Sequence, residues 1–180
     1  MTRRLHKLRR LLTSERGYSL IELLQVTIIL GVVLGAVTTL FVRASIAEVD
    51  MNRRFQAQQE ARLAVDRMRR EIHCASLVAP TGASASITVT LPGGCPTAAG
   101  LPTTVVYDTQ LVSSGRWQLR RAGVRVADYV AASAVFNYTA QSTSGLGKLN
   151  VILPINLKPT DTTKEWRLEA DIVLRNTTRS

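Results

Sequence analysis

The sequence has few of the residues on which most small enzymes and metal sites depend. Its 180 residues include two cysteines and two histidines, His6 and His73. Two cysteines are too few for a four-cysteine zinc site or a disulfide-rich scaffold, and two histidines offer little to a histidine-dependent nucleophile. The chain also lacks a phosphate-binding glycine loop, a dinucleotide fingerprint, a nucleophile elbow and a zinc-protease motif. We therefore expect no cofactor, no metal and no enzymatic activity.

Acidic residues are scarce too, with 13 Asp and Glu against 23 Lys and Arg, a net charge of +10. Such an excess often indicates nucleic acid or an anionic membrane as a partner. The charge is unevenly distributed, because residues 1–17 alone carry +5 and the other 163 residues share the remaining +5. The composition, 46% hydrophobic and 20% charged, is that of a globular chain.

One long segment almost lacks charge. Tyr18–Val42 contains 25 residues and a single charged one, Glu22. At 1.5 Å per residue a helix of this length spans roughly 37 Å, enough for a bilayer core of about 30 Å and too long for a signal peptide. The basic residues before it predict that residues 1–17 are cytoplasmic and the rest lies outside, where disulfides persist. The plain interpretation is a single-pass anchor.

A carboxylate in an apolar helix is costly, so the presence of Glu22 needs an explanation. Its side chain can reach the lipid headgroups, or it can have a cationic partner. No residue one turn away on the same helix face is basic. A cationic partner would therefore come from another chain or from a newly made amino terminus.

The segment Arg16–Leu24, RGYSLIELL, together with the apolar run that follows, resembles the processing motif of type IV prepilins and pseudopilins. In that family a basic leader ends in glycine, prepilin peptidase cuts after it, the new terminal amine is methylated, and the fifth mature residue is glutamate. The resemblance implies cleavage between Gly17 and Tyr18, N-methylation of Tyr18, and pairing of Glu22 with the amine of a neighbouring subunit. Tyr18 replaces the usual phenylalanine, and its aromatic ring should preserve processing.

The resemblance also implies a location and partners. The protein would lie in the inner membrane, surrounded by lipid, and would then enter a pilus or pseudopilus with other subunits and an inner-membrane assembly platform. The absence of proline from Tyr18 to Ala79 favours a minor pilin or pseudopilin. A looser similarity to J-type minor pseudopilins and W-type minor pilins lies in Leu119–Arg121, Val126–Val130, Val135–Tyr138 and Val173–Asn176. Type IV pilus, type II secretion and competence filaments remain alternatives.

Four segments are predicted: a leader (1–17), a membrane or filament-core helix (18–42), an amphipathic helix (43–79) and a β-rich domain (80–180). Strong helix formers and one apolar stripe indicate that a single helix continues to about Cys74. Beyond Pro80, short β-type runs alternate with turn residues. The predicted strands are Ser86–Leu91, Thr103–Asp108, Arg116–Arg121, Val124–Val130, Ser133–Thr139, Leu149–Ile155 and Trp166–Arg175. This order predicts an α+β fold with a helix on one face of an antiparallel sheet.

Of the two cysteines, Cys74 ends the predicted helix and Cys95 lies in the turn Gly93–Pro96 after the first predicted strand. Outside the cytoplasm such a pair is more often a disulfide than two free thiols. A bond closing a loop of about 22 residues would stabilise the fold by roughly 3 kcal/mol on the chain-entropy model.

A second function is open, namely an anchored binding module that captures DNA or a secreted substrate. Arg116 and Arg120 alternate with Trp117 and Leu119 on one predicted strand. Cations beside an aromatic ring can contact phosphates and stack on a base. The plain interpretation is that Trp117 belongs to the core and that the arginines face solvent.

Overall fold

A computed structural model describes residues 19–95, 97–98, 100–143 and 145–176. In these residues one helix, α1 (Leu20–Cys74), precedes nine strands and a 3₁₀ turn at Thr162–Lys164. The strands are β1 (Leu77–Ala79), β2 (Gly82–Ser84), β3 (Ser86–Leu91), β4 (Thr103–Ser113), β5 (Arg116–Arg121), β6 (Val124–Val130), β7 (Phe136–Thr139), β8 (Lys148–Ile155) and β9 (Trp166–Val173). The helix packs on a curled antiparallel sheet, which confirms the predicted α+β fold.

The chain divides into two compact units, one ending at Asp50 and the other beginning at Met51. The described part of the first unit is the apolar half of α1 and its continuation to Asp50. The residues from Ser19 to Ala44 are all exposed. The described part of this unit therefore has no core of its own and is held by helix hydrogen bonds.

In the second unit α1 is amphipathic and supplies one layer of the core. Its buried apolar residues recur at spacings of three and four, as one helix face requires. They are Ala57, Ala61, Ala64, Val65, Met68 and Ile72. Three of them are alanines, and their small side chains allow the helix backbone to approach the sheet closely.

The sheet is antiparallel throughout, in the order β1-β3-β4-β5-β6-β8-β7-β2, with β9 added to β8. Only Ala85 separates β2 from β3 along the chain. Because β2 ends the hydrogen-bonded path and β3 lies near its start, the sheet must curl. Thr109 bridges the two ends, since its N–H donates to Ala85 O at 2.9 Å and its hydroxyl donates to Ser133 O at 2.8 Å.

The core lies between the curled sheet and α1. Alternate residues are buried along β3 and along β8 up to Leu153, as period-2 strands with one apolar face require. The largest fully buried side chains include Tyr107, Phe136 and Met68. All buried hydrophobic positions fall between Ala57 and Leu174, so the second unit contains the whole core of the described chain.

Several predicted boundaries differ from the observed ones. The segment 43–79 is not helical throughout, because α1 ends at Cys74 and β1 pairs with β3, where Ser76 N–H donates to Thr90 O at 2.9 Å. The strands β1 and β2 were not predicted. They have three residues each, too few to show a period. β4 extends five residues beyond the predicted end at Asp108, because it pairs with β5 beyond the end of β3.

Two further strands are shorter than predicted. β7 begins at Phe136 instead of Ser133, and β9 ends at Val173 instead of Arg175. The chain before β7 is diverted because Ser133 O accepts the Thr109 hydroxyl. After β9 the side chain of Asn176 turns back and donates to Cys74 O at 3.1 Å. Polar contacts outside the sheet therefore accompany the late start of β7 and the early end of β9.

Candidate functional site

The predicted cleavage site, Gly17 and Tyr18, lies outside the described residues, so only the chain after it can be placed. Ser19 precedes α1, and its carbonyl oxygen accepts the N–H groups of Glu22 and Leu23 at 2.9 and 3.1 Å. Glu22 lies in the first turn with an exposed side chain. Its negative charge there interacts favourably with the positive end of the helix dipole.

The surroundings of Glu22 contain no cation from its own helix segment. The first basic residue after it is Arg43, at the far end of the apolar run. Ile21, Leu23 and Leu24, the large apolar residues next to it along the helix, are 61%, 60% and 47% exposed. The carboxylate therefore lies on an exposed apolar surface, where a cationic group from another molecule could reach it directly.

The apolar half of α1 is long and hydrophobic enough to span a membrane, with a window of mean hydropathy 2.4. The threonine hydroxyls in this segment are bonded within the helix. The hydroxyl groups of Thr27 and Thr38 donate to carbonyls one turn back, Leu24 O at 2.9 Å and Leu34 O at 2.8 Å. Such bonds satisfy the hydroxyls internally, so the segment can be covered by lipid or by other apolar helices.

A second group of functional interest is a buried ion cluster on the core side of the sheet. Glu71 lies on α1 and its side chain is fully buried. Its Oε1 accepts hydrogen bonds from Nη2 of Arg121 at 2.7 Å and from Nε of Arg121 at 3.0 Å. The Tyr107 hydroxyl donates to the same carboxylate at 2.6 Å. Burial, and then the bond to Glu71, raises the pKa of Tyr107 above its usual value, so the phenol keeps its proton. The cluster joins α1 to β4 and β5.

A third group surrounds Asp128 on β6. Its carboxylate accepts Nε and Nη2 of Arg116 at 3.0 and 2.6 Å, and Nη1 of Arg125 at 3.3 Å. Gln118 Nε2 and the Tyr129 N–H complete the shell at 3.3 and 2.6 Å. Burial alone would raise the pKa of Asp128, but the bonds from Arg116 and the Tyr129 N–H outweigh it and lower the pKa below its usual value.

Arg120, the other predicted nucleic-acid contact, is also engaged by acceptors. Its guanidinium forms an ion pair with Asp108 on β4, and its Nη1 donates to Gln110 Oε1 at 2.6 Å. Trp117, on the opposite face of β5, is partly buried and packs against the core. A phosphate would therefore have to displace Asp108 or Gln110 from Arg120, and at Arg116 it could use only the donors that Asp128 leaves.

The structure contains the predicted disulfide between Cys74 and Cys95. It ties the end of α1 to the segment after β3. The neighbouring His73 is bonded through Nδ1 to Val173 O of β9 at 2.9 Å. In the described part of the chain, no three His, Cys, Asp or Glu side chains are grouped so that they could hold a metal ion.

Sequence reasoning missed Glu71 and Asp128 as organising residues. Glu71 stands in an arginine-rich helix and gives the pattern of a solvated face. The sequence offers one indication that Glu71 is buried, namely its place on the helix. Met68, three residues before it, and Ile72, the residue after it, both belong to the apolar stripe. Asp128 has no local signal, since its main partner Arg116 is twelve residues earlier on another strand.

Comparison with known proteins finds no relative of this chain: no family model, no curated protein and no solved structure matches it. Its function must therefore be inferred from its residues and their geometry.

Proposed function

We propose that this chain is a minor subunit of a type IV pilus or pseudopilus. In this proposal it is inserted in the inner membrane, cut after Gly17 by prepilin peptidase and then assembled through the apolar half of α1. The observation that carries the proposal is the uncovered apolar helix with one carboxylate in its first turn, placed directly after the RGYS segment.

The apolar half of α1 must be shielded from water by lipid or by other apolar surfaces. Between Ser19 and Ala44 every residue is exposed, and Ile29 and Leu34, near the middle of the run, are 63% and 55% exposed. Apolar surface in water costs roughly 25 cal/mol per Å². Lipid covers such a helix before assembly, and the equivalent helices of other subunits cover it in a filament, so both environments suit the same surface.

The carboxylate of Glu22 gives this packing a register. Away from water, an unpaired carboxylate costs several kcal/mol. Cleavage after Gly17 would create a cationic amine on Tyr18, four residues before Glu22. Helices that slide by one turn separate the amine of one subunit from the carboxylate of the next, so the pair penalises incorrect registers.

The second unit fits the role of an ectodomain. Its core is complete without the first unit, because the buried hydrophobic positions begin at Ala57. The disulfide between Cys74 and Cys95 suits an extracytoplasmic compartment. An independently packed domain can remain folded while the apolar helix passes from lipid to a filament.

The assembly step is tested with Glu22→Gln, which keeps the size of the side chain and removes its charge. We expect normal membrane insertion and processing but a loss of at least tenfold in the amount found in sheared filaments, measured by immunoblotting of the membrane and filament fractions. Glu48→Gln is the matched control, since Glu48 is an exposed acid on the same helix outside the apolar run. Equal incorporation of the two variants would contradict the pairing role.

The processing step is tested separately by intact-mass analysis of the chain extracted from membranes. We expect the mature protein to begin at Tyr18 with one added methyl group. Gly17→Leu should leave an uncut precursor, whereas Thr13→Leu, in the same leader, should be cut normally. A mature terminus elsewhere, or assembled material that retains residues 1–17, would refute the assignment.

A further inference from the structure

A polar cavity in the second unit has no role in the proposed assembly through the apolar helix. It has a volume of about 300 Å³ and lies between α1 and the strands β5 and β6. One wall is formed by Arg53, Gln56 and Glu60 of α1 and the other by residues around Asp128. Three of its lining side chains are arginines: Arg53 from α1, Arg116 from β5 and Arg125 from β6.

The arginine on the strand wall is held in a fixed position. Asp128 accepts two of the hydrogen bonds of Arg116 in a side-by-side arrangement, and the Arg116 guanidinium lies over the ring of Tyr129, 4.1 Å from its centroid. An arginine held from two sides loses little conformational entropy when it binds an anion. Its side chain is 30% exposed, so part of the guanidinium faces outward.

The backbone beneath this arginine is strained. Tyr129 has a φ of 60°, a left-handed conformation that is unusual for a bulky residue. It lies in a β-bulge, because the pairs Trp117–Val130 and Leu119–Ala127 enclose two steps on β5 and three on β6. Bulges and strained residues persist where they direct a side chain to a required place. This bulge places Asp128 and Tyr129 on the same guanidinium.

The charges of the lining favour a monoanion. Arg53, Arg116 and Arg125 contribute +3, and Glu60 and Asp128 contribute −2, which leaves +1. The Asp128 side chain is only 5% exposed and is occupied by its own donors, whereas Arg125 is 55% exposed. The groups left to meet a ligand are therefore mainly cationic, and Glu60 opposes any second negative charge.

We propose that this cavity is a binding site for a single carboxylate group, held by the guanidinium groups of Arg116 and Arg125 with Arg53 on the opposite wall. Guanidinium groups bind carboxylates through charge-assisted hydrogen bonds. Asp128 takes Nε and one hydrogen of Nη2 of Arg116, so Nη1 and the second hydrogen of Nη2 are the donors that Arg116 offers to a ligand. The carboxylate can come from a free organic acid or from an aspartate or glutamate side chain of another polypeptide. Both sources offer the same chemistry to the site.

The test is calorimetric titration of the full chain in neutral detergent at low ionic strength with three probes. They are acetate, an end-blocked hexapeptide with one central glutamate, and inorganic phosphate. We expect one site that prefers a carboxylate to phosphate. Tighter binding of the peptide than of acetate would identify a protein side chain as the source, and the reverse would identify a free acid. Tighter binding of phosphate, or no binding of either carboxylate, would overturn the proposal.

Two variants locate the site and separate binding from folding. Arg125→Gln removes an exposed donor and should weaken carboxylate binding by about tenfold, the loss of one charge-assisted hydrogen bond. Glu60→Gln raises the net charge of the lining to +2 and should strengthen it severalfold, a direction that damage to the fold would not produce. Arg70→Gln, an exposed arginine of α1 outside the cavity, should change nothing. Binding unaffected by both cavity variants would overturn the location.

Discussion

At the scale of single residues, three carboxylates occupy very different surroundings. Glu22 is exposed on an apolar helix surface, Asp128 is enclosed by two guanidinium groups and an amide, and Glu71 is buried in the core. A buried carboxylate is tolerated only when donors replace its lost hydration. Glu71 has such donors in Arg121 and Tyr107. Glu22 lacks a cation on its own segment, and for this reason the proposed assembly pairs it with an amine of another subunit.

The Glu71 cluster should be one of the most sensitive points of the second unit. Glu71→Ala leaves the Arg121 guanidinium and the Tyr107 hydroxyl without their acceptor, and we expect it to reduce the free energy of unfolding by about 3–5 kcal/mol. Tyr107→Phe removes one hydrogen bond and should cost about 1 kcal/mol. Urea denaturation followed by tryptophan fluorescence measures both. Equal losses for the two variants would show that the charge is not needed in the core.

Asp128 should make stability depend on pH in the acid range. Because its pKa is lowered in the folded state, its contribution is fully present above the unfolded value of about 3.9 and is lost as the pH falls through the lower folded value. Asp128→Asn should therefore be less stable at neutral pH and lose less stability on acidification below about pH 4. Denaturation midpoints across this range measure the effect. Asp66→Asn, in an exposed pair with Arg69, is the control and should retain the wild-type slope.

At the scale of elements, α1 serves two environments along one continuous helix. Its first half exposes apolar side chains on every face, and its second half has an apolar stripe against the sheet and arginines outside it. Helix formation itself needs only local hydrogen bonds, so it tolerates the change of environment along its length. The sheet is less tolerant, since each strand depends on a partner.

The turn of the hairpin between β5 and β6 contains a residue whose replacement should stabilise the fold. Ala122 and Gly123 form its two-residue turn, both with positive φ, 48° and 80°. This is the pattern of a type I′ turn, which favours asparagine at its first position, whereas alanine is disfavoured in the left-handed region by about 1 kcal/mol. Ala122→Asn should raise the unfolding free energy by about 0.5–1 kcal/mol, and Ala122→Val should lower it. A thermal melt distinguishes them, and stabilisation by valine would contradict this account of the turn.

At the scale of the whole molecule, burial is confined to one unit. Among the residues that the structure describes, every buried hydrophobic one lies from Ala57 onward, and those from Ser19 to Ala44 are all exposed. The residues that stabilise the fold and the exposed apolar residues of the helix therefore lie in different parts of the chain. This separation permits a change in the cover of the apolar helix without a change in the core.

A fragment of residues 51–180 should fold without the first unit. It contains all of the buried core, the disulfide and both ion clusters, so we expect a soluble protein with a cooperative thermal transition. The full chain should need detergent, because it keeps the apolar helix. Gel filtration and circular dichroism measure both properties. A fragment that aggregates or melts without a transition would show that the first unit contributes to folding.

The sequence alone predicted the fold class, the single helix ending at Cys74, the disulfide partners and the bounds of β3, β5 and β6. These features depend on local information: apolar periodicity, turn residues and the compartment implied by the basic flank. The processing role of Gly17 and Tyr18 and the pairing role of Glu22 also come from the sequence, and they stay predictions.

Only the tertiary structure decided which charges meet. Arg121 reaches Glu71 across fifty residues, and Arg116 reaches Asp128 from the neighbouring strand. At Arg116 the sequence indicated a solvated side chain, because alternation along a strand assigns a face but does not identify the groups that face it. Strands of three residues and a bulge at Tyr129 are likewise invisible to local patterns. They form because the curled sheet brings distant segments together, and the free energy that stabilises them comes from contacts that no short stretch of sequence contains.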